Sequence, residues 1–174
     1  LVSIKSKLPQ TVTLVAVSKT KPNTDILAVY TAGQRVFGEN KVQDAIAKQA
    51  MFNPPDAHWH MMGHVQTNKL KKAIHCFDSI QSIDSIKLAK KLNQIAMDQG
   101  SPYPILYQLN LAKETQKYGF LIDDFLENMD QLYGFEYLQV KGLMVMGPHT
   151  TDTSQIQDVF NQAASLYQSL KNKY

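Results

Sequence analysis

The stretch Leu14-Val15-Ala16-Val17-Ser18-Lys19-Thr20-Lys21-Pro22 sets a pattern that the rest of the chain repeats. Its apolar half, Leu14 to Ser18, is too continuous for a half-exposed strand and suits a parallel strand buried on both faces. Pro22 with Asn23-Thr24 then starts a helix carrying Ile26, Leu27 and Tyr30 on one side, and Gly33 stops it. The same strand–helix alternation predicts strands over 35–38, 58–62, 77–81, 105–109 and within 138–146. Helices are predicted over 40–51, after Thr67, after Asp84 as cap, over about 122–132 and within 154–170. In the helix after Asp84, Ile86, Leu88, Ala89, Leu92, Ile95 and Ala96 form a broad apolar face ended by Gly100, and Pro102 prevents its continuation. Such a βα series means a parallel sheet, either doubly wound or closed into a barrel. The pattern alone does not choose, and six strands fall short of the eight of a (β/α)8 barrel.

Bulk properties narrow the classes. The chain has 174 residues, 44% hydrophobic and 19% charged, with a net charge of +3. That balance is ordinary for a globular protein and gives no sign of a nucleic-acid or membrane partner. The basic run Lys69-Leu70-Lys71-Lys72 reads as a solvated helix face. The single cysteine, Cys76, excludes an intrachain disulfide and reads as a small buried hydrophobe, a reactive thiol being the lesser reading. No apolar stretch is long enough to span a bilayer, and no signal-peptide pattern opens the chain, so a cytoplasmic location is expected.

In either candidate architecture, ligands bind at the C-terminal ends of parallel strands. There stand Ser18-Lys19-Thr20-Lys21, Gly38-Glu39-Asn40, His58-Trp59-His60 running to Gly63-His64, Gln108 with Asn110, and Met144-Val145-Met146-Gly147. Lysine suits Schiff-base chemistry, because burial or a nearby cation frees an amine lone pair. Lys21 would share the parity of Lys19 if the strand continued, and could be that cation. On spacing alone Lys19 is more simply a loop lysine facing water. His58 and His60 share a strand face, yet no carboxylate or cysteine completes a zinc set with them and His64, so no metal site is expected. Asn40 and Asn110 could be turn residues. Glu114 and Lys117 could be a local ion pair of little energy.

Taken in order, the motifs resemble the pyridoxal phosphate homeostasis protein family. Ala16-Val17-Ser18-Lys19-Thr20-Lys21-Pro22 and Phe37-Gly38-Glu39-Asn40-Lys41-Val42-Gln43 resemble its first two signatures. Trp59-His60 with Gly63, then Gln66-Thr67-Asn68-Lys69, resembles the third. Gln108-Leu109-Asn110, then Glu114, Lys117 and Gly119, is similar to the fourth, and Gly142-Leu143-Met144 to the fifth. Departures are Lys41, where an aromatic residue is common, and His64-Val65 before Gln66.

The resemblance implies a (β/α)8 TIM-type barrel like the alanine racemase N-terminal domain. About six βα units are present here and the last two are expected to be missing. Residues 1–174 are expected to form a single domain truncated at both ends. The resemblance also implies pyridoxal 5'-phosphate (PLP) held on Lys19 as a Schiff base, with Asn40, His60 and Met144 near the cofactor. Lys21, Glu114 and Lys117 form a secondary set, the last two in a polar cluster at the rim. The implied role is PLP supply and buffering without catalytic turnover, with apo PLP-dependent enzymes as partners and a monomer or weak dimer as the assembly. The family's phosphate-gripping segments follow the last helix here, so this chain alone is expected to hold PLP weakly. Three other functions stay open. A fold-type III enzyme such as an amino-acid racemase would need a β-rich second domain and a tyrosine opposite the lysine. A PLP-free lysine aldolase would share the lysine but not the motif series. A role in interactions alone would need no ligand.

Overall fold

The computed structural model describes residues 1–112, 114 and 117–173. Six strands follow one another in the sheet in chain order, β1-β2-β3-β4-β5-β6. The chain divides into two compact units, Leu1–Ile80 and Gln81–Tyr174.

In the first unit a short helix α1 (Val2–Lys5) precedes β1 (Ala16–Val17), α2 (Asn23–Thr31), β2 (Val36–Glu39), α3 (Val42–Met51) and β3 (His58–Met61). A 3-10 turn (Thr67–Lys69) leads into α4 (Leu70–Cys76), and β4 (Ser79–Ile83) begins the crossing to the second unit. The pairs are parallel, with Val17 beside Gly38, Gly38 beside His60, and His60 beside Ser79. Phe37, Trp59, Met61 and Ile80 are buried along these strands, and Ala45, Leu70 and Ala73 bury the helices over them. The Phe37 and Trp59 rings lie 5.3 Å apart, and the Trp59 indole donates to Asn53 Oδ1 at 3.0 Å, as a buried indole N–H must.

One expectation fails at β1. The run from Leu14 does not make a strand buried on both faces. The strand is two residues long, and Val17 is 46% exposed. As the first strand in sheet order it has, among the described residues, a paired neighbour on one side only, so its apolar run is not enclosed. β2 does show the enclosed pattern, with Phe37, Gly38 and Glu39 all buried.

The second unit holds the rest of β4, then α5 (Ile86–Gln99), β5 (Tyr103–Leu109), α6 (Ile122–Glu127), α7 (Met129–Tyr133), β6 (Leu138–Val145) and α8 (Thr153–Lys171). The cap of α5 is Ser85, whose hydroxyl accepts the Leu88 N–H at 3.3 Å, rather than Asp84. Gly100 ends that helix in the left-handed conformation, φ 75°, where glycine meets no steric penalty. The single helix expected over 122–132 is two short ones meeting at Asn128. β5 and β6 run parallel, with a register shift that sets Ile105 beside Val140 but Leu106 beside Gly142. Lys141 is thus the extra residue of a bulge, and Gly142 takes φ 148° there. Tyr107 anchors the core, fully buried, its hydroxyl donating to Leu132 O at 2.7 Å and its ring 5.6 Å from Phe125. Among the described residues no helix is long and apolar enough to cross a membrane.

Candidate functional site

Lys19 sits outside the strand, in a tight turn from Ser18 to Lys21 closed by the Lys21 N–H donating to Ser18 O at 3.0 Å. Thr20, third in that turn, has φ 63°. A β-branched residue pays a steric penalty in this region, which glycine or asparagine normally occupies. β1 has ended by Val17, so the two-residue parity expected between Lys19 and Lys21 does not hold; both side chains are exposed at a turn. Among the described residues the Lys19 amine has no hydrogen-bond or ion-pair partner.

Directly beneath this turn lies a buried polar cluster. Glu39, at the end of β2, is 0% exposed. Its Oε1 accepts the Ser18 hydroxyl at 2.6 Å and the Lys48 ammonium. Lys48 also donates to Ser18 O at 2.6 Å. Glu39 Oε2 is buried without a hydrogen-bond partner among the described residues. Sequence reasoning placed Glu39 at a strand end but did not find Lys48. The signal was present: a carboxylate on an otherwise buried strand needs a cation, and Lys48 is the only basic residue in α3.

Asn40 and His60 come from the neighbouring strand ends. Asn40 follows β2, half-buried, and Gly63 lies against its backbone. A Cβ on Gly63 would stand 2.3 Å from Asn40 O and 2.8 Å from its Cα. Gly63→Ala must therefore displace Asn40, with an expected loss of about 1–3 kcal/mol by the usual cost of overpacking. Urea unfolding measures it, and an unchanged midpoint would refute the contact.

Burial holds the His60 imidazole below its ordinary 6.5; Asp78 works against that and His58 reinforces it. The unfolded chain therefore takes up this proton first. The group's stability contribution is complete above about pH 6.5 and is lost as pH falls through the lower folded value. His60→Gln is expected to flatten the stability decline between about pH 7 and pH 5. Denaturant titrations at the two pH values check this, and equal slopes in both proteins would count against it. His58 is exposed, its Nδ1 3.8 Å from Asp78 Oδ1. No group of three His, Cys, Asp or Glu among the described residues is placed to hold a metal. Burial pushes the Cys76 thiol up to about 11, which leaves little thiolate at neutral pH.

In the second unit Asn110 organises the loop after β5. Its side-chain amide donates to Glu114 O at 2.8 Å and Lys117 O at 3.2 Å, and its oxygen accepts the Glu114 N–H at 3.3 Å. Lys117 donates to Glu114 Oε1 and to Gly147 O, both at 2.7 Å. The Lys117 hydrogen bond is the main reason the Glu114 carboxyl lies below its ordinary range, with His149 adding to it. The pair is thus more than local, since Lys117 ties the β5 loop to the segment after β6. Met144 is half-buried on β6, level with Gln108.

The family model described as alanine racemase, N-terminal domain, matches residues 1–174. The alanine racemase of Clostridium difficile 630 matches 96% of this chain and 46% of its own at TM-score 0.76 and 12% identity, a likeness of fold. The architecture is therefore alanine racemase N-terminal-like, of the TIM-barrel type, as expected. A curated relative from Pasteurella multocida (strain Pm70), named pyridoxal phosphate homeostasis protein, is 36% identical over 96% of this chain and 73% of its own. The structure of PipY of Synechococcus elongatus PCC7942 with PLP bound is 39% identical, TM-score 0.92, covering 99% of this chain and 80% of its own. The chain belongs to the pyridoxal phosphate homeostasis protein family.

Proposed function

We propose that this protein binds PLP through Lys19 and takes part in PLP homeostasis, holding the cofactor and supplying it to apo-enzymes. The observation that carries the reading is the Lys19 amine, exposed and unpartnered among the described residues on a turn whose backbone is held from below. The residues fit the group, because imine chemistry needs an amine that no carboxylate has claimed. When bound, PLP would supply an aldehyde carbon, and Lys19 would be the residue that holds it through a neutral amine.

The chain's own residues do the rest. Lys19 provides the nucleophilic nitrogen. Asn40 and His60, on the adjoining strand ends, would lie beside the ring and could offer it hydrogen-bonding groups. Met144 enters the assignment on family resemblance alone, with Lys21, Glu114 and Lys117 as a secondary polar set. Relatives are named homeostasis proteins rather than enzymes, which supports a carrier or regulator without turnover of its own. We assign it to the cytoplasm, as one domain over residues 1–174, monomeric or weakly dimeric, without nucleic-acid or membrane partners.

The test is a PLP titration followed by borohydride reduction and peptide mapping. A visible absorption band and a reduced adduct on Lys19 are expected. Absence of an adduct there overturns the reading.

A further inference from the structure

The buried cluster under the Lys19 turn enters that reading only as a support for the backbone, yet its features are costly ones. Glu39 and Lys48 are both withdrawn from water, with side chains 0% and 13% exposed. A desolvated ion pair is a weak source of stability even when its hydrogen bonds are complete. Here they are incomplete, because among the described residues Glu39 Oε2 is buried without a partner. Thr20 adds a backbone conformation unfavourable to a β-branched side chain. All three costs fall on or directly under a four-residue turn, and strain of this kind gathers where a group must be held for function.

The hydrogen bonds show what is held. Ser18 O, the carbonyl of the peptide bond leading into Lys19, accepts both the Lys21 N–H at 3.0 Å and the Lys48 ammonium at 2.6 Å. Ser18 itself is tied to Glu39 through its hydroxyl at 2.6 Å. Glu39 in turn holds the Lys48 ammonium on its Oε1. The backbone on the N-terminal side of Lys19 is therefore fixed from α3 and from β2 at once. Lys21, two residues on, is also exposed and is held through its own backbone N–H on the same Ser18 O, whereas the Lys48 ammonium reaches the carbonyl of the peptide that leads into Lys19.

We propose that Lys48, clamped by Glu39, is a positioning residue that locks the Ser18–Lys21 turn so that the amine of Lys19, rather than that of Lys21, is delivered to PLP. This rests on the reading that PLP is held through Lys19.

The experiment follows the rate of band formation and the position of the borohydride-reduced adduct. It uses the full chain and its Lys48→Met, Glu39→Gln/Lys48→Met and Lys48→Arg variants. Folding is checked in each by circular dichroism melts. Loss of the charge-assisted hydrogen bond to Ser18 O is expected to slow the reaction about tenfold in Lys48→Met. Part of the adduct should move to Lys21, and Lys48→Arg, which keeps a cationic donor, should recover most of the rate and the preference for Lys19. Should Lys48→Met not fold, the double variant, which leaves no buried charge unpaired, gives the same readings. Folded variants that react at the unaltered rate and on Lys19 alone overturn the positioning role while leaving the PLP reading intact. Failure of every variant to fold overturns it too, making the pair a stability element. Absence of an adduct on Lys19 in the unaltered protein is the distinct result that removes the underlying reading.

Discussion

Lys19→Ala is expected to abolish the borohydride-stable PLP adduct and to weaken PLP binding on the order of a hundredfold, the equivalent of about 3 kcal/mol. The same substitution is expected to leave the unfolding free energy within about 0.5 kcal/mol, the usual range for an exposed side chain without partners. The contrast follows from the structure. Lys19 is exposed and unpartnered among the described residues, so its removal opens no cavity and leaves no buried group unsatisfied. Lys19→Arg keeps the positive charge and much of the length but offers no neutral amine, because a guanidinium stays protonated. It should therefore fail like alanine. Calorimetric titration with PLP, reduced-peptide mapping and urea unfolding on the three proteins separate the chemistry from the fold. Restoration of binding by arginine would show that charge, and not the amine, holds the cofactor.

The alternation of strands and helices was legible because it depends on local chemistry. Apolar runs of the right length, Pro22 at a helix entrance and Gly33 and Gly100 at helix ends each act within a few residues. The departures have the opposite character. Leu14 to Ser18 has the composition of an enclosed strand, but enclosure depends on neighbours, and β1 has one paired strand beside it. Asp84 and Ser85 are both good caps; backbone direction selected Ser85. The bulge at Lys141 shifts the register of β6, and only the adjacent Gly142 hinted at it. At the candidate site, the pattern places Lys19, Asn40 and His60 at strand ends, but on spacing alone Lys19 reads as a loop lysine, and only the ordered motifs give these residues a cofactor role. Lys48 did not stand out, although it is the only basic residue of α3, because a helix lysine is ordinarily solvated and only a buried carboxylate on β2 calls it inward. The i,i+3 pair Glu114–Lys117 was visible, whereas the bond from Lys117 to Gly147 O spans thirty residues and has no local signature.

Lys48→Met is expected to give the largest loss of stability, about 3–5 kcal/mol, the range found when one partner of a buried ion pair is removed. The loss does not measure the worth of the Lys48–Glu39 bond. It measures the cost of leaving the Glu39 carboxylate at 0% exposure with, among the described residues, only the Ser18 hydroxyl to accept from and one oxygen already without a partner. For that reason Glu39→Gln/Lys48→Met should recover much of the deficit, since a neutral amide keeps the hydrogen bond to Ser18 and carries no charge to desolvate. The single and double variants are therefore strongly non-additive, with a coupling of about 1–3 kcal/mol. A double-mutant cycle in urea, completed with Glu39→Gln alone, measures it directly. Additive losses would mean that the two side chains act independently and that water reaches Glu39 in solution. A recovered double variant would show instead that this ion pair contributes little to the fold, leaving its hold on Ser18 O as the reason for a buried charge beside Lys19.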